Sequence, residues 1–156
     1  MIFEGKEIFL RDVDSADTDV LSSLVKKHLN ADDDADIREH LSYMIGKKLG
    51  IFDSDIYLIV QSKNDQKIIG YILLEKIDWK NKTLVLKDYI EQDDVLLDAL
   101  ITALRFVFHE LNLNKINIYA DCSRKYPQLP FMIKEGAMEK QNVVVYGIEK
   151  SNFPDK

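Results

Sequence analysis

The sequence predicts a mixed α/β domain, a central mixed β-sheet with helices on both faces. Three observations carry this reading. Apolar residues recur at helical spacing in two early segments and one late one, and at a spacing of two in between. The middle of the chain holds three strand-like runs joined by turns so short that they must pair antiparallel. A long apolar helix then separates the last of these runs from one further strand-like run, which makes those two parallel neighbours through a crossover.

The elements follow in order. "KEIFLRDVD" reads as the first strand, with Ile8 and Leu10 on one face. "DSADTDVLSSLVKKHLN" reads as a helix: Asp14 is placed to be its N-cap, Asp17 adds charge to its first turn, and Val20, Leu21, Leu24, Val25 and His28 form a stripe. "DDDADIREHLSYMIGKKLG" repeats the device, with Asp36 and Glu39 at capping-box spacing and Ile37, Leu41, Met44 and Ile45 as the apolar face. Gly50 is a natural stop.

"DIYLIVQSK", "KIIGYILLEKID" and "TLVLKDYI" are the meander strands, joined by "KNDQK" and "WKNK". A helix should run from about Asp93 to Leu111, apolar nearly all round and therefore buried on most sides. "NKINIYA" is the next strand. "DCSRKYPQLPFMIKEG" carries two closely spaced prolines that interrupt any helix. "AMEKQNVVVYGIEK" reads as a strand or hairpin. The order is β-α-α-β-β-β-α-β-(α)-β-β, in one domain over 1–150, with "SNFPDK" at 151–156 as a frayed tail.

Composition excludes several function classes. The chain has 156 residues, a hydrophobic share of 46% and a formal charge of −6. It shows no basic stripe, so no nucleic-acid partner is expected. Lys26-Lys27 and Lys47-Lys48 read as solvated helix faces. No apolar run approaches the roughly 18 residues of a membrane span, and no basic-then-apolar leader opens the chain. The single cysteine, Cys122, forms no internal disulfide, which fits a reducing cytoplasm. It is expected to be a buried structural thiol, since no basic partner is adjacent in sequence. The three histidines, His28, His40 and His109, lack metal-ligand spacing. "DVDSADTD" and "NADDDAD" lack the glycine and glutamate of a calcium loop and read as helix-start charge. Trp79, in the turn "DWKNK", either covers the sheet edge or lines a groove.

The element order, with the words "IFLRDVDSADTDVL", "IIGYILLEKIDWKNKTLVLKDYI", "ALITALRFVFHELNLNKINIYA" and "KEGAM", resembles the GNAT superfamily of N-acetyltransferases. The branch it looks most like is that of the ribosomal-protein N-terminal acetyltransferases. The resemblance implies that the fourth and fifth strands of this count, "TLVLKDYI" and "NKINIYA", splay apart and that acetyl-CoA lies between them. It implies an amine acceptor, either a small molecule or a protein N-terminus. It also implies that the pyrophosphate sits on the N-terminus of the helix between the two strands, where unpaired N–H groups and the helix dipole favour an anion.

By that resemblance Tyr89, Ile90, Gln92, Asp93, Asp94 and Val95 line the cofactor seat. The family's loop there is longer and glycine-rich, with an arginine; this chain has "YIEQDDVLLDAL". At ~6 Å and an effective dielectric of ~20, each carboxylate–phosphate charge pair costs about 3 kcal/mol before screening. Two such pairs rival a micromolar affinity, worth about 8 kcal/mol. Asp93 and Asp94 are equally expected to cap and complement the helix. Two function classes therefore stand: an acyl-CoA-dependent N-acyltransferase, and a GNAT-fold interaction module that no longer binds acetyl-CoA.

Acyl transfer to an amine needs a base for the amine, donors for the developing oxyanion and an acid for the leaving thiolate. The resemblance assigns the acid to Tyr126, which precedes Phe131 at the family's spacing, although Pro130 replaces the expected glycine and Pro127 follows directly. Base candidates are Glu75, Asp88 and Glu91 on the meander strands, each equally a solvated strand carboxylate. The resemblance also implies that backbone N–H groups around Lys87 to Tyr89 bind the oxyanion. Asp121 and Ser123 are the nearest polar residues where the family has a cofactor-contacting asparagine.

Overall fold

The computed structural model describes residues 2–29, 34–46, 55–123 and 126–154, the side chains of 28, 29, 34, 35 and 46 excepted. The described strands form one eight-stranded sheet in the order β1-β2-β3-β4-β5-β6-β8-β7. These are β1 (Ile2–Glu4), β2 (Ile8–Arg11), β3 (Ile56–Ser62), β4 (Ile68–Asp78), β5 (Thr83–Ile90), β6 (Lys115–Asp121), β7 (Ile133–Met138) and β8 (Val143–Glu149). Among the described strands only β5 and β6 pair in parallel. The expected mixed sheet is present, and a short first strand, Ile2–Glu4, adds itself to the edge. The predicted fourth and fifth strands are thus β5 and β6.

Side chains alternate across the sheet and build two cores. Ile8, Leu10, Leu58, Ile72, Leu74, Leu84, Leu86, Ile116 and Ile118 face the helix α3 (Leu96–Arg105). Tyr57, Ile59, Tyr71 and Leu73 face the opposite way, against α1 (Thr18–Leu29) and α2 (Asp34–Gly46). Helices therefore cover both faces. The helical path from Asp93 is not one α-helix: a 3₁₀ turn, Asp93–Val95, precedes α3, and a π turn, Phe106–Glu110, follows it. The π turn closes with Leu111 N–H donating to Phe106 O at 3.0 Å.

Two charged clamps fix the first elements. Asp14 accepts from Ala16 N–H while Asp17 accepts from Asp14 N–H, a reciprocal cap at the entry to α1. The Asp17 carboxylate also takes two 2.8 Å bonds from Arg11, and it is only 6% exposed. Asp98 on α3 accepts from Lys6 N–H at 2.9 Å and Glu7 N–H at 2.7 Å, which ties the β1–β2 turn to the helix.

Several expectations are corrected. α2 begins at Asp34, so Asp36 lies inside the helix rather than at its cap. Val20 is exposed, because the buried stripe of α1 is Leu21, Leu24 and Val25. Gly50 and the side chain of His28 fall outside the described residues. Residues 126–132 form no helix, as the prolines require. Phe153, in the segment expected to fray, is buried against Phe108 and Phe131, with ring centroids 5.3 Å from each. An aromatic ring with an apolar cleft in reach docks rather than frays. Cys122 is exposed, not buried, because it sits in the turn that leaves β6.

Asp17→Ala should destabilise the protein by about 3 kcal/mol in denaturant unfolding, since it strands the Arg11 charge. Burial alone would raise the Asp17 pKa, but hydrogen bonds from Arg11 and from Asp14 N–H, with the guanidinium charge, outweigh it and hold it low. A depressed folded pKa gives stability that is present above the unfolded value near 4 and lost as pH falls through the folded one. That acid-side loss should be smaller in the Asp17→Ala protein. Asp98→Ala should cost about 2 kcal/mol and speed hydrogen exchange at Lys6 and Glu7, whose N–H groups would lose their acceptor.

Candidate functional site

The parallel pair is short. β5 and β6 are in register from Thr83–Lys115 to Leu86–Ile118. β5 runs on to Ile90 and β6 to Asp121, without pairing to each other. β5 stays on β4 as far as the Gly70–Ile90 pair, while β6 stays on β8 as far as the Asp121–Val143 pair. Each strand keeps its outer neighbour and releases the inner one, so the sheet opens into a V at the C-terminal ends of the strands. The splayed strands expected from sequence are present.

Gly70 holds one arm of the V. Its φ is +155°, and a Cβ there would lie 2.4 Å from Tyr89 O and 2.7 Å from Ile90 Cα. Only glycine lets β4 approach the end of β5 so closely.

The faces of the sheet sort the predicted catalytic residues. Asp88 stands opposite Ile72, on the α3 face, whereas Glu75 stands opposite Val85, on the α1/α2 face. The two base candidates therefore lie on opposite sides and do not form one site. Glu75 Oε1 is 2.7 Å from Lys87 Nζ. Burial would lower the Lys87 pKa, but the hydrogen bond and charge of Glu75 outweigh it and raise it, so Lys87 stays cationic. Lys87 Nζ is also 5.5 Å from the Tyr119 ring centroid across the V, and Lys76 Nζ is 5.8 Å from the same ring. Lys87 and Tyr119 thus face each other over the opening. Sequence reasoning assigned neither side chain a role; alternation along β5 puts Lys87 on the face of Tyr89, which was the available signal. Glu91, the third candidate, pairs with Lys27 at 2.9 Å.

Tyr126 is 7% exposed and belongs to the α3-side core, its ring stacked on Tyr146 at 6.4 Å and 16°. Asp121 accepts from Ser123 N–H and Oγ, closing the turn after β6. Trp79 packs partly buried against the α3-side core and so covers the sheet.

The predicted cofactor seat divides. Ile90 and Val95 bury their side chains in the core, which leaves only their backbones to a ligand. Tyr89 stacks on Tyr71 at 4.7 Å. Gln92, Asp93 and Asp94 are exposed at the helix start. Gln92 is the residue in the N-cap position and makes no side-chain cap bond; Asp93 and Asp94 follow it as first-turn charge. Gln92, Asp94 and Val95 line a cavity of about 380 Å³ with Lys6, Glu7 and Lys63. Lys63 is already paired with Glu4. Among the described residues no His/Cys/Asp/Glu group is arranged to hold a metal, and no helix is long and apolar enough to cross a membrane.

No protein-family model matches the chain, and no curated protein matches it. Solved structures do. A chimera of the Vibrio cholerae spermidine N-acetyltransferase SpeG and hSSAT aligns with TM-score 0.75 at 16% identity, covering 97% of this chain and 100% of its own. A SpeG point mutant from Vibrio cholerae aligns with TM-score 0.73 at 17% identity, covering 94% and 96%. A GNAT-family acetyltransferase from Bacillus anthracis aligns with TM-score 0.72 at 15% identity, covering 97% and 99%. At these identities the likeness establishes the fold, and function must be argued from the site.

Gly70→Ala should destabilise the protein by about 1–3 kcal/mol through backbone strain and a clash at the arm of the V. The loss of amide protection should centre on Tyr89 and Ile90 and leave the β6–β8 pairing intact.

Proposed function

We propose that this chain, which has the fold of the GNAT N-acetyltransferases, transfers an acyl group from acetyl-CoA to an amine. The observation that carries the reading is the V between β5 and β6. An unpaired strand edge offers alternating N–H and C=O groups to an extended ligand. Residues 87–90 present such an edge, which suits the amide-bearing arm of an acyl-CoA. The donor supplies an activated thioester there.

The diphosphate fits less well. The helix start has backbone donors but no glycine, and Asp93 and Asp94 flank it. Both carboxylates are exposed, so water and salt screen their repulsion well below the unscreened value. They weaken the seat without closing it. This same feature favours the second reading, an interaction module that has lost acyl-CoA.

The chain's own groups divide the remaining work. Glu75, oriented by Lys87, takes a proton from the incoming ammonium through water. N–H groups near Lys87 to Tyr89 donate to the oxyanion. Tyr126 packs in the core beside Tyr146; as the C–N bond forms and the C–S bond breaks, coenzyme A leaves as a thiolate that solvent protonates, and water carries off the second proton of the amide nitrogen. The sequence resembles the ribosomal-protein N-terminal branch, while two of the structural neighbours are spermidine enzymes by name; the common acceptor chemistry is a nucleophilic amine.

Calorimetry with acetyl-CoA tests the reading, paired with mass spectrometry of a small panel of amines for a gain of one acetyl group. Micromolar binding is expected, and ligand at 100 times Kd should add about 2.7 kcal/mol to stability. Absence of binding at millimolar acetyl-CoA by a folded protein would leave the module reading. Asp93→Gly with Asp94→Gly should tighten acetyl-CoA at low salt, and the gain should shrink as salt rises. Glu75→Gln should lower turnover at least tenfold with the dissociation constant for acetyl-CoA unchanged.

A further inference from the structure

At the base of the V, on the α1/α2 side of the sheet, two lysines meet over one ring. Register sets Glu75, Val85 and Asn117 in a row across β4, β5 and β6, and alternation puts Lys87 and Tyr119 next along the same face. The core under α1 and α2 draws its sheet residues from β3 and β4, with Tyr89 at its margin. The row beside it stays half-buried.

Lys76 reaches this face through a break in β4. Alternation from Leu74 would aim residue 76 into the α3-side core. Instead the register shifts between Glu75 and Asp78, Lys76 takes φ +52°, and Ile77 fills the core position. Glycine adopts that left-handed conformation without steric cost, and lysine does not. A bulge of this kind re-aims a side chain. Here it brings Lys76 Nζ to 5.8 Å from the Tyr119 ring centroid, while Lys87 Nζ, from β5, lies 5.5 Å from the same point.

The two ammonium groups differ in what they already hold. Lys87 is paired with Glu75 at 2.7 Å. Lys76 is exposed and forms no ion pair with a described residue. Two lysines against one glutamate leave the cluster positive, in a chain whose formal charge is −6. The excess is a single charge, which a carboxylate matches while offering two acceptor oxygens to ammonium donors. A phosphoryl group carries nearly two negative charges and would leave the cluster negative. A second ammonium group on the ligand would meet repulsion from Lys76.

We propose that Lys76, together with Lys87, forms a carboxylate-binding site at the base of the V, and that Lys76 is a specificity-determining residue selecting acceptors that carry a carboxylate remote from the reacting amine. The selection of acceptors rests on the acyl-transfer reading, whereas the carboxylate site is measurable with no acyl donor present.

The test uses the whole chain and three probes on nearly one frame. γ-Aminobutyrate, its primary amide and putrescine share an amine and differ in an anionic, neutral or cationic far end. β-Alanine and its primary amide repeat the contrast on a shorter frame. Each is titrated without acyl donor at constant ionic strength and followed by amide NMR, then offered with acetyl-CoA and followed by mass spectrometry. At least one acid should bind saturably, shift the amides of Lys76, Lys87 and Tyr119, and bind at least tenfold more tightly than its amide and than putrescine. Among acetylated probes the same order should hold in kcat/KM, carried by KM. Lys76→Met keeps the stem and removes the charge. Lys76→Gly also relieves the left-handed backbone, so its melting temperature should equal or exceed that of the parent. Both variants should bring acid and amide close to equal affinity. Lys76-dependent binding of an acid by a protein that does not bind acetyl-CoA would support the carboxylate site and count against the acyl-transfer reading. Amide or putrescine bound or acetylated as well as the acid, or an unchanged acid-to-amide ratio in both folded variants, would overturn the proposal and leave that reading standing. Absence of saturable binding by both acids would overturn it as well.

Discussion

Four residue pairs hold β5 to β6, and the architecture depends on where that pairing stops. Parallel neighbours cannot be joined by a tight turn, so α3 must cross over between them. The crossover buries Leu96, Ala99, Leu100, Ala103 and Leu104 beneath the sheet and returns the chain at Lys115. Beyond Leu86 and Ile118 each strand follows its other partner. The right-handed twist of strands makes such divergence accessible where nothing bridges the gap. Gly70 keeps one arm tight against β4, and the β8 ladder keeps the other in place. The opening is therefore built by outward pairing on both sides.

What surrounds the opening decides its chemistry. Lys87 is the cation closest to Glu75, and it faces Tyr119 over the gap. The helix start beyond β5 is acidic and lacks glycine, while Asp98 of the same helix is committed to the β1–β2 turn. The three carboxylates have different work. Asp98 is a structural acceptor of two N–H groups. Asp93 and Asp94 are solvated and complement the dipole. The electrostatic cost inferred for a diphosphate is consequently one of screened surface charge, which salt can tune.

Much of this was legible in sequence because the period of the apolar residues changes at each boundary. The meander and the crossover followed from that period and from turn residues, whereas the splay of the parallel pair came only from the resemblance to the GNAT superfamily. The capping box was legible in half: Asp14 was read as the cap, but Asp17 also answers Arg11 through a contact between β2 and the helix entry. The misses share a cause. Ile2–Glu4 is too short to show a period, and it forms a strand because β2 offers an edge. Cys122 and Tyr126 lie in irregular chain, where burial depends on packing rather than on spacing. Cys122 turns outward at the end of β6, and Tyr126 finds Tyr146 on a strand distant in sequence. Glu75 and Asp88 are separated by the register of β4 on β5, which the strand words alone do not state.

The openness of the V is the claim on which the functional reading rests, and amide hydrogen exchange across residues 87–90 and 119–121 tests it most directly. With open strands, the inward-facing amides of free protein should exchange far faster than those of residues 83–86 and 115–118. Saturating acetyl-CoA should slow them at least tenfold. Uniform protection along both strands in the free protein, or inward amides unmoved by acetyl-CoA at concentrations where it is bound, would contradict an open cleft that seats the acyl donor.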